Sequence, residues 1–272
     1  MLELNLQQPH VMTILNVTPD SFFEASRTFV DRTIHQRVEQ AIREGASIID
    51  VGGYSSRPGA DDIDIEEEWQ RVKRGAAGVR EVSPHMPISV DTFRSEVVRR
   101  TVETFGRVVV NDIMAGGGSE DMYRVVAAHD LPYIAMHSRG TPQSMQSMTE
   151  YADVVGDVAN FFNERIEAMQ AAGIASNRII LDPGFGFAKS VEQNYQLLRG
   201  LKELCDMGYP MLVGVSRKSM IYKVLETDPS QALEGTMALN WEALRCGAKI
   251  LRVHDTQAAS QCIKLWRAYE GK

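Results

Sequence analysis

Eight short runs of apolar residues recur along the chain, and an amphipathic segment separates each run from the next. The runs are continuously apolar, a pattern typical of parallel strands that are covered on both faces. They are Val11–Val17, Ser47–Val51, Ile88–Asp91, Val108–Ile113, Pro132–Met136, Ile179–Asp182, Met211–Val215 and Ile250–Val253. The intervening segments repeat apolar residues at helical spacing, as Ile34, Val38 and Ala41 do. The pattern therefore predicts eight strands that alternate with helices.

Strict alternation of strand and helix implies a parallel sheet with right-handed crossovers. Eight such units in 272 residues match the size of one β/α-barrel. An open doubly wound sheet is the alternative, but eight units without a second domain favour closure. We predict an α/β protein, a (β/α)8 TIM barrel that spans residues 1–272 as a single domain.

The net charge of -7 argues against general binding to nucleic acid or to an anionic membrane. The first ten residues lack the features of a secretory signal, and no apolar run approaches the ~20 residues of a membrane span. Cys205, Cys246 and Cys262 are odd in number and widely spaced, which fits a reduced protein. We expect a cytoplasmic protein whose partners are small molecules.

Three long polar connections, residues 18–31, 52–64 and 137–149, follow the first, second and fifth predicted strands. Loops of this length in a compact barrel are usually functional, and they leave the face where barrel enzymes place their chemistry.

Polar residues lie at the C-terminal ends of six of the eight runs. They are Asn16, Asp91, Asn111 and Asp112, Asp182, Ser216-Arg217-Lys218-Ser219, and Arg252-Val253-His254-Asp255. Helix capping explains Asp112 or Asp255 equally well, but it does not explain all six strands. A site at the barrel mouth does, because buried polar groups need hydrogen-bond partners.

These residues fall into two chemical sets. The cationic set, suited to a phosphate or pyrophosphate, is Arg57, Lys218, Arg252 and His254. The acceptor-rich set, suited to a ring with several N–H donors such as an aminopyrimidinone, is Asp91, Asn111 and Asp182. Asn16 offers a neutral oxygen that Mg²⁺ accepts when substrate phosphates supply other ligands. A helix that begins near Arg217 is expected to add backbone N–H donors.

Other motifs are excluded. The segment Gly184-Phe185-Gly186-Phe187-Ala188-Lys189-Ser190 is superficially like a P-loop, but Pro183 and Ala188 hold the required glycine positions. The chain has no G-x-G-x-x-G, no H-E-x-x-H and no serine nucleophile elbow. His85 and His137 are expected to be structural or solvated.

The motifs as a group, in order and over nearly the whole chain, resemble those of the dihydropteroate synthase family. They are Leu15-Asn16-Val17-Thr18-Pro19-Asp20-Ser21-Phe22, Ser55-Ser56-Arg57-Pro58-Gly59-Ala60, Ser89-Val90-Asp91-Thr92, Asn111-Asp112-Ile113, Met136-His137-Ser138-Arg139-Gly140-Thr141-Pro142, Leu181-Asp182-Pro183-Gly184-Phe185-Gly186-Phe187, Ser216-Arg217-Lys218-Ser219 and Arg252-Val253-His254-Asp255.

The resemblance implies that 6-hydroxymethyl-7,8-dihydropterin pyrophosphate is joined to para-aminobenzoate. It assigns the pterin to Asp91, Asn111, Ile113, Met136, Asp182, Lys218 and Arg252. It assigns pyrophosphate to Arg252, His254 and, through Mg²⁺, Asn16. It assigns para-aminobenzoate and the closing loops to Ser56, Arg57, Pro58, Phe187, Lys218 and Ser219. Catalysis would rest on Asp91, Lys218, Arg252 and His254.

The chain departs from the family pattern in the first and second long loops. Tyr54 stands where the family usually has Glu, and the first loop runs Phe23-Glu24-Ala25-Ser26-Arg27-Thr28 instead of Ser-Asp-Gly-Gly. We expect these changes to alter loop closure or sulfonamide sensitivity and not the reaction.

Two other functions remain as alternatives. A pterin-binding methyltransferase on the same barrel would not need the anion site, and a non-catalytic pterin-binding protein would not need the complete substrate set. The family is typically dimeric, and Leu265 and Trp266 of the last helix are expected either to serve a dimer or to pack on the barrel.

Overall fold

The computed structural model describes residues 5–18, 27–55, 62–140, 144 and 147–271. The strands are β1 (His10–Asn16), β2 (Ile48–Gly52), β3 (Ile88–Asp91), β4 (Val109–Asp112), β5 (Tyr133–Met136), β6 (Ile179–Asp182), β7 (Leu212–Val213) and β8 (Ile250–Val253). The helices are α1 (Arg27–Glu44), α2 (Ile65–Val82), α3 (Ser95–Phe105), α4 (Met122–Ala128), α5 (Val154–Ala171), α6 (Val191–Arg199), α7 (Leu201–Cys205), α8 (Ser219–Tyr222), α9 (Leu233–Cys246) and α10 (Thr256–Tyr269).

All eight strands are parallel, in the order β6-β5-β4-β3-β2-β1-β8-β7. A single bridge between Leu181 and Met211 joins β6 to β7 and brings the sheet round into a barrel. The predicted TIM barrel and its eight strands are confirmed. The seventh strand is shorter than the predicted Met211–Val215. Among the described residues, its pairing toward β6 consists of the bridge at Met211, just before β7 begins.

The helices cover the outside of the barrel and begin and end at recognisable signals. Asp64 caps α2 by accepting the Glu67 backbone N–H at 2.8 Å, as expected of a short side-chain acceptor at a helix start. Gly247 ends α9 with a φ of 109°, a left-handed conformation that glycine adopts without strain. No helix in the described parts of the chain is both long enough and apolar enough to span a membrane.

The interior of the barrel is divided into two layers. An apolar plug fills the lower part with Met12, Ile48, Val109, Ile134, Ile180, Leu212 and Ile250. Alternate residues of a strand point to the same face. The next inward-facing residue after each plug residue is therefore two positions further along the strand, toward its C-terminal end. On four strands that residue is polar or charged, namely Asp50, Asn111, Asp182 and Arg252. The mouth is therefore lined with polar groups that rest on an apolar floor.

Candidate active site

A guanidinium at the centre of the mouth joins two carboxylates. Arg252 on β8 donates from Nε to Asp50 Oδ2 at 2.7 Å and from Nη2 to Asp91 Oδ2 at 2.6 Å. Burial alone would lower the pKa of Arg252, but these two carboxylates raise it. Arg252 is therefore a permanent cation held between β2 and β3.

The Asp91 carboxyl in this cluster has a pKa close to neutral pH. Burial raises the pKa of Asp91 to about 7, and the Asp50 carboxylate adds to the rise while Arg252 opposes it. A group of this kind changes its charge readily when a ligand brings new charges or hydrogen bonds beside it. Perturbed carboxyls in a cleft are a mark of functional sites.

Asn111 completes the acceptor-rich side. Its Nδ2 lies 3.2 Å from Asp50 Oδ2, so that the amide N–H end faces the carboxylate. Across the barrel, Asp182 accepts the Gly184 backbone N–H at 2.8 Å, and burial raises the pKa of this carboxyl. The structure thus brings together the three acceptors that the sequence predicts.

Lys218 lies beside these acceptors, on the loop after β7. Its ammonium donates to the Phe185 carbonyl and lies 4.5 Å from the centroid of the Phe187 ring, a cation–π distance. Loss of surrounding water lowers the pKa of Lys218 to about 8, and the nearby Asp182 carboxylate opposes this change. Lys218 therefore links the acceptor side to the loop that carries Phe187.

His254 stands at the exposed edge of the mouth and is oriented by Ser216. Ser216 Oγ accepts the His254 backbone N–H at 3.2 Å and lies 3.0 Å from Nδ1 of the ring. The Ser216 hydroxyl can donate to Nδ1 of a neutral ring whose proton is on Nε2, or accept from a protonated Nδ1. The Arg37 guanidinium donates to the His254 carbonyl at 2.6 Å. Both contacts hold His254 at the rim, where an imidazole N–H is a suitable donor to an anion.

Ser219 begins α8, the helix predicted to supply backbone donors near Arg217. That helix has only four residues, so the expected contribution of its dipole is small. Arg217 itself has a positive φ of 54° and belongs to the preceding turn.

Asn16 ends β1 beside Gly52. A methyl group at Gly52 would lie 3.4 Å from Asn16 Oδ1 and 3.6 Å from Asp91 Cβ. The glycine therefore keeps open the space between Asn16 and Asp91. In the described ranges, the Asn16 side chain has no hydrogen-bond partner, and no cluster of three or more His, Cys, Asp or Glu side chains is arranged to hold a metal.

Apolar side chains flank the polar layer. Ile113 and Met136 are buried at the ends of β4 and β5, and Phe187 is half-buried on the loop after β6. The predicted Ser56, Arg57 and Pro58 lie outside the described residues.

Two candidate capping residues have different roles in the structure. Asp112 accepts from the Met114 and Gly116 backbone N–H groups, both at 2.8 Å, and from Tyr133 Oη at 2.6 Å, so it is structural. Asp255 instead forms two hydrogen bonds with Arg217.

The sequence reasoning missed two residues. Asp50 was hidden in the middle of a strand, although its spacing of two from the plug residue Ile48 places it on the inward face. Lys189 was considered only as part of a failed P-loop. It is buried, and its Nζ lies 2.9 Å from His137 Nδ1 and donates to the Gly184 and Phe187 carbonyls, both at 3.0 Å.

His137 is structural, as one of the two predicted alternatives has it. Its ring packs edge-on against Phe161 with centroids 4.9 Å apart, and burial lowers the pKa of His137 to about 2.

Tyr54, the departure in the second loop, is an aromatic anchor. Its ring meets Phe93 edge-on at 5.1 Å, and the Arg94 guanidinium lies 5.4 Å from the Tyr54 centroid. Arg94 is in turn paired with the buried Glu68 at 2.9 Å. The base of the second loop is thus packed against the β3–α3 connection in a way that a carboxylate at position 54 would not be.

A closed β/α-barrel with paired acids, cations and apolar walls at its mouth is typical of an enzyme that binds a small polar molecule. The family model described as "Pterin binding enzyme" matches residues 12–254. The chain belongs to this pterin-binding family and, within it, to the dihydropteroate synthases.

Relatives support this placement over almost the full length. The dihydropteroate synthase of Haemophilus influenzae is 43% identical, covering 97% of this chain and 95% of the relative. That of Synechocystis is 42% identical, covering 96% and 91%. Among solved structures, Xanthomonas albilineans dihydropteroate synthase with 4-aminobenzoic acid has a TM-score of 0.91 at 37% identity, covering 99% of this chain and 96% of that one. Yersinia pestis dihydropteroate synthase with a sulfonamide drug has a TM-score of 0.92 at 37% identity, covering 100% and 98%.

Proposed function

We propose that the chain joins 6-hydroxymethyl-7,8-dihydropterin pyrophosphate to para-aminobenzoate, forming 7,8-dihydropteroate and releasing pyrophosphate. The proposal rests on the position of Arg252. This residue contacts Asp91 of the acceptor set and lies at the end of β8, two residues before His254. One ligand with N–H donors at one end and phosphates at the other fits this arrangement. A Xanthomonas albilineans relative solved with 7,8-dihydropteroate, 35% identical with a TM-score of 0.88, supports it.

The pterin ring belongs in the acceptor layer. Asp182 and Asn111 would accept its N–H groups, and Lys218 would donate to its carbonyl oxygen. Ile113 and Met136 would cover its faces. Such a site rejects rings without those donors, because its own buried acceptors would be left unpaired.

The pyrophosphate belongs at the rim, with Arg252 and His254 as donors. Departure of pyrophosphate breaks the bond between the pterin methylene carbon and oxygen, and the electron pair leaves with the oxygen. Positive charge then develops on the methylene, where the Asp91 carboxylate stabilises it. The aniline nitrogen of para-aminobenzoate attacks with its lone pair, forms the new C–N bond and then loses one proton to water. Weak basicity of this nitrogen means that no strong general base is needed.

The second substrate would lie against Phe187 and Lys218, with its carboxylate near the Ser219 backbone N–H. Ser56, Arg57 and Pro58, which lie outside the described residues, are proposed to complete this side by resemblance alone. Exclusion of water matters here, because water would otherwise capture the cationic pterin.

Mg²⁺ is proposed as the cofactor, held by Asn16 Oδ1 and by oxygens of the substrate. Asn16 fits this role because its amide oxygen is a neutral ligand at the mouth, next to the space that Gly52 keeps open. When bound, the ion would neutralise charge on the leaving pyrophosphate. The described residues offer no complete metal cage, and oxygens of the substrate and of water are proposed as the remaining ligands.

We also propose a cytoplasmic homodimer. Leu265 and Tyr269 on α10 are 66% and 70% exposed, which supports an apolar contact surface there. Trp266 is buried instead and packs on the barrel.

The test is an assay of the purified protein with the pterin pyrophosphate, para-aminobenzoate and Mg²⁺. Pyrophosphate should appear at an appreciable rate only with both substrates present, and a sulfonamide should compete with para-aminobenzoate. A methyltransferase or a non-catalytic binder would bind the pterin and release no pyrophosphate.

A further inference from the structure

Asp50 is a carboxylate inside the barrel that no proposed step uses. It lies in the middle of β2, its side chain is 0% exposed, and it sits directly above the apolar plug residue Ile48. A buried carboxylate is costly unless it is paired and hydrogen-bonded. Both of its side-chain partners, Arg252 and Asn111, are residues assigned to the substrates.

The first consequence concerns the direction of Arg252. Asp50 takes Nε at 2.7 Å and Asp91 takes Nη2 at 2.6 Å, so two edges of the planar guanidinium are fixed by different strands. With Asp91 alone, the guanidinium could rotate about a single contact. The pair of carboxylates leaves Nη1 without a hydrogen-bond partner in the described ranges. Nη1 is then the donor that remains for an anion.

The second consequence concerns the amide of Asn111. An ionised carboxylate accepts hydrogen bonds and cannot donate them. The Asn111 amide must therefore present Nδ2 to Asp50, whose Oδ2 and Oδ1 lie 3.2 and 3.4 Å from it. Its carbonyl oxygen Oδ1 becomes the end that remains for a ligand, and a ligand must supply an N–H donor to meet it.

We propose that Asp50 is a positioning residue that aims Arg252 at an anion and the Asn111 carbonyl oxygen at an N–H donor of the ligand ring. It touches neither ligand, because its side chain is buried beneath both partners. One carboxylate thus sets the orientation of the anion site and of the ring site together. The identity of the two ligands rests on the proposed function.

Asp50→Asn tests this directly, because it keeps the shape and removes the charge. The amide that replaces the carboxylate can offer either end to Asn111, so the orientation of Asn111 is no longer determined. We expect the affinities for a 6-hydroxymethylpterin probe and for inorganic pyrophosphate with Mg²⁺ each to fall about tenfold or more, as loss of a charged hydrogen bond implies.

Double-mutant cycles separate positioning from a general structural defect. In an Asn111→Ala background, Asp50→Asn should no longer change pterin affinity. In an Arg252→Ala background, it should no longer change pyrophosphate affinity. Losses that simply add in both backgrounds would overturn the inference, because they would show that Asp50 acts through the fold as a whole.

Glu68→Gln is the matched control. Glu68 is also fully buried and also paired with an arginine, Arg94, but it lies on the outer helix α2. It should lower the thermal midpoint and leave both affinities within about twofold.

If Asp50→Asn does not accumulate as folded protein, Arg252→Lys examines the same contact from the other side. An ammonium keeps the charge but cannot hold two carboxylates in a planar fork. Pyrophosphate affinity should again fall about tenfold, and an unchanged affinity would overturn the inference. A parent protein that binds neither probe overturns both this inference and the proposed function. A parent that binds both, with Asp50→Asn binding them equally well, overturns this inference alone.

Discussion

Arg217 and Asp255 tie the loop after β7 to the loop after β8 through two parallel hydrogen bonds of 2.8 and 2.9 Å. Arg217 also donates from Nη1 to the Pro229 and Ser230 carbonyls at 2.8 and 2.6 Å. These four bonds hold a non-glycine residue at a φ of 54°, a conformation that costs about 1 kcal/mol or more when unsupported. The turn carries Lys218 immediately after it.

Arg217→Lys is therefore expected to retain the charge and lose the fork. The free energy of unfolding should fall by about 1–2 kcal/mol, or roughly 2–5 °C in the thermal midpoint. The specificity constant for synthesis should fall too, since Lys218 is no longer placed. Arg245→Lys, in an exposed pair with Glu242 on α9, is the control and should change neither quantity. An Arg217→Lys enzyme with parental activity would contradict the account.

Lys189 is predicted to position the β6–α6 loop. Lys189→Met fills the same space but removes the ammonium donor from the Phe187 carbonyl and one of the two donors from the buried Gly184 carbonyl. The KM for para-aminobenzoate should rise several-fold because Phe187 is displaced, while pterin affinity changes little. The free energy of unfolding should fall by about 1–3 kcal/mol. Lys202→Met, on the surface, is the matched control. Equal losses for both substrates would indicate general destabilisation.

Asp91 should release a proton when a pterin binds near pH 7. Because its folded pKa is raised to about 7, mainly by burial, part of the free enzyme carries this proton at that pH. Ligand N–H groups favour the charged carboxylate and expel the proton. Calorimetry in two buffers of different ionisation enthalpy should show the release, and Asp91→Asn should abolish it. An equal release from both proteins would place the proton elsewhere.

The raised pKa of Asp91 also makes the free energy of unfolding depend on pH. The folded pKa of Asp91 lies above the ordinary value of 3.8. The stability that the neutral carboxyl contributes is thus present below about pH 4 and is lost as the pH rises through about 7. Asp91→Asn, which cannot ionise, should weaken this decline between about pH 4 and pH 7 in denaturant titrations. A parallel decline in the two proteins would rule out Asp91 as its source.

Asp182→Ala should remove measurable pterin binding, because the buried ring donors would lose their acceptor. Calorimetry should show at least about a hundredfold loss of affinity. Asp206→Ala, an exposed carboxylate on the surface, should leave pterin affinity at the parental value. Retained affinity in the Asp182 variant would count against its role.

Arg252→Ala should weaken pyrophosphate binding more than product binding, and equal losses would instead place Arg252 on the pterin.

The strands and most of the rim could be predicted from the sequence because one periodicity governs both. Continuous apolar runs indicate buried parallel strands, and polar residues at the ends of several such strands indicate a site where those ends meet. Asp91, Asn111, Asp182 and Lys218 were recognised on that basis.

Asp50 was not predicted as a site residue, because a single acid within an apolar run does not mark the end of a strand. Only the three-dimensional partners Arg252 and Asn111, 202 and 61 residues away in the chain, reveal its purpose. Lys189 escaped for a similar reason, since its partner His137 is 52 residues distant. Long-range pairs of this kind leave no local pattern.

The proposed reaction is a coupled condensation, and the ratio of its two products tests it most directly. Pyrophosphate and 7,8-dihydropteroate should be formed in equal amounts from the pterin pyrophosphate, para-aminobenzoate and Mg²⁺, and neither should accumulate when para-aminobenzoate is omitted. Pyrophosphate release that continues at the same rate without para-aminobenzoate, or pterin binding with no dihydropteroate formed, would contradict the account.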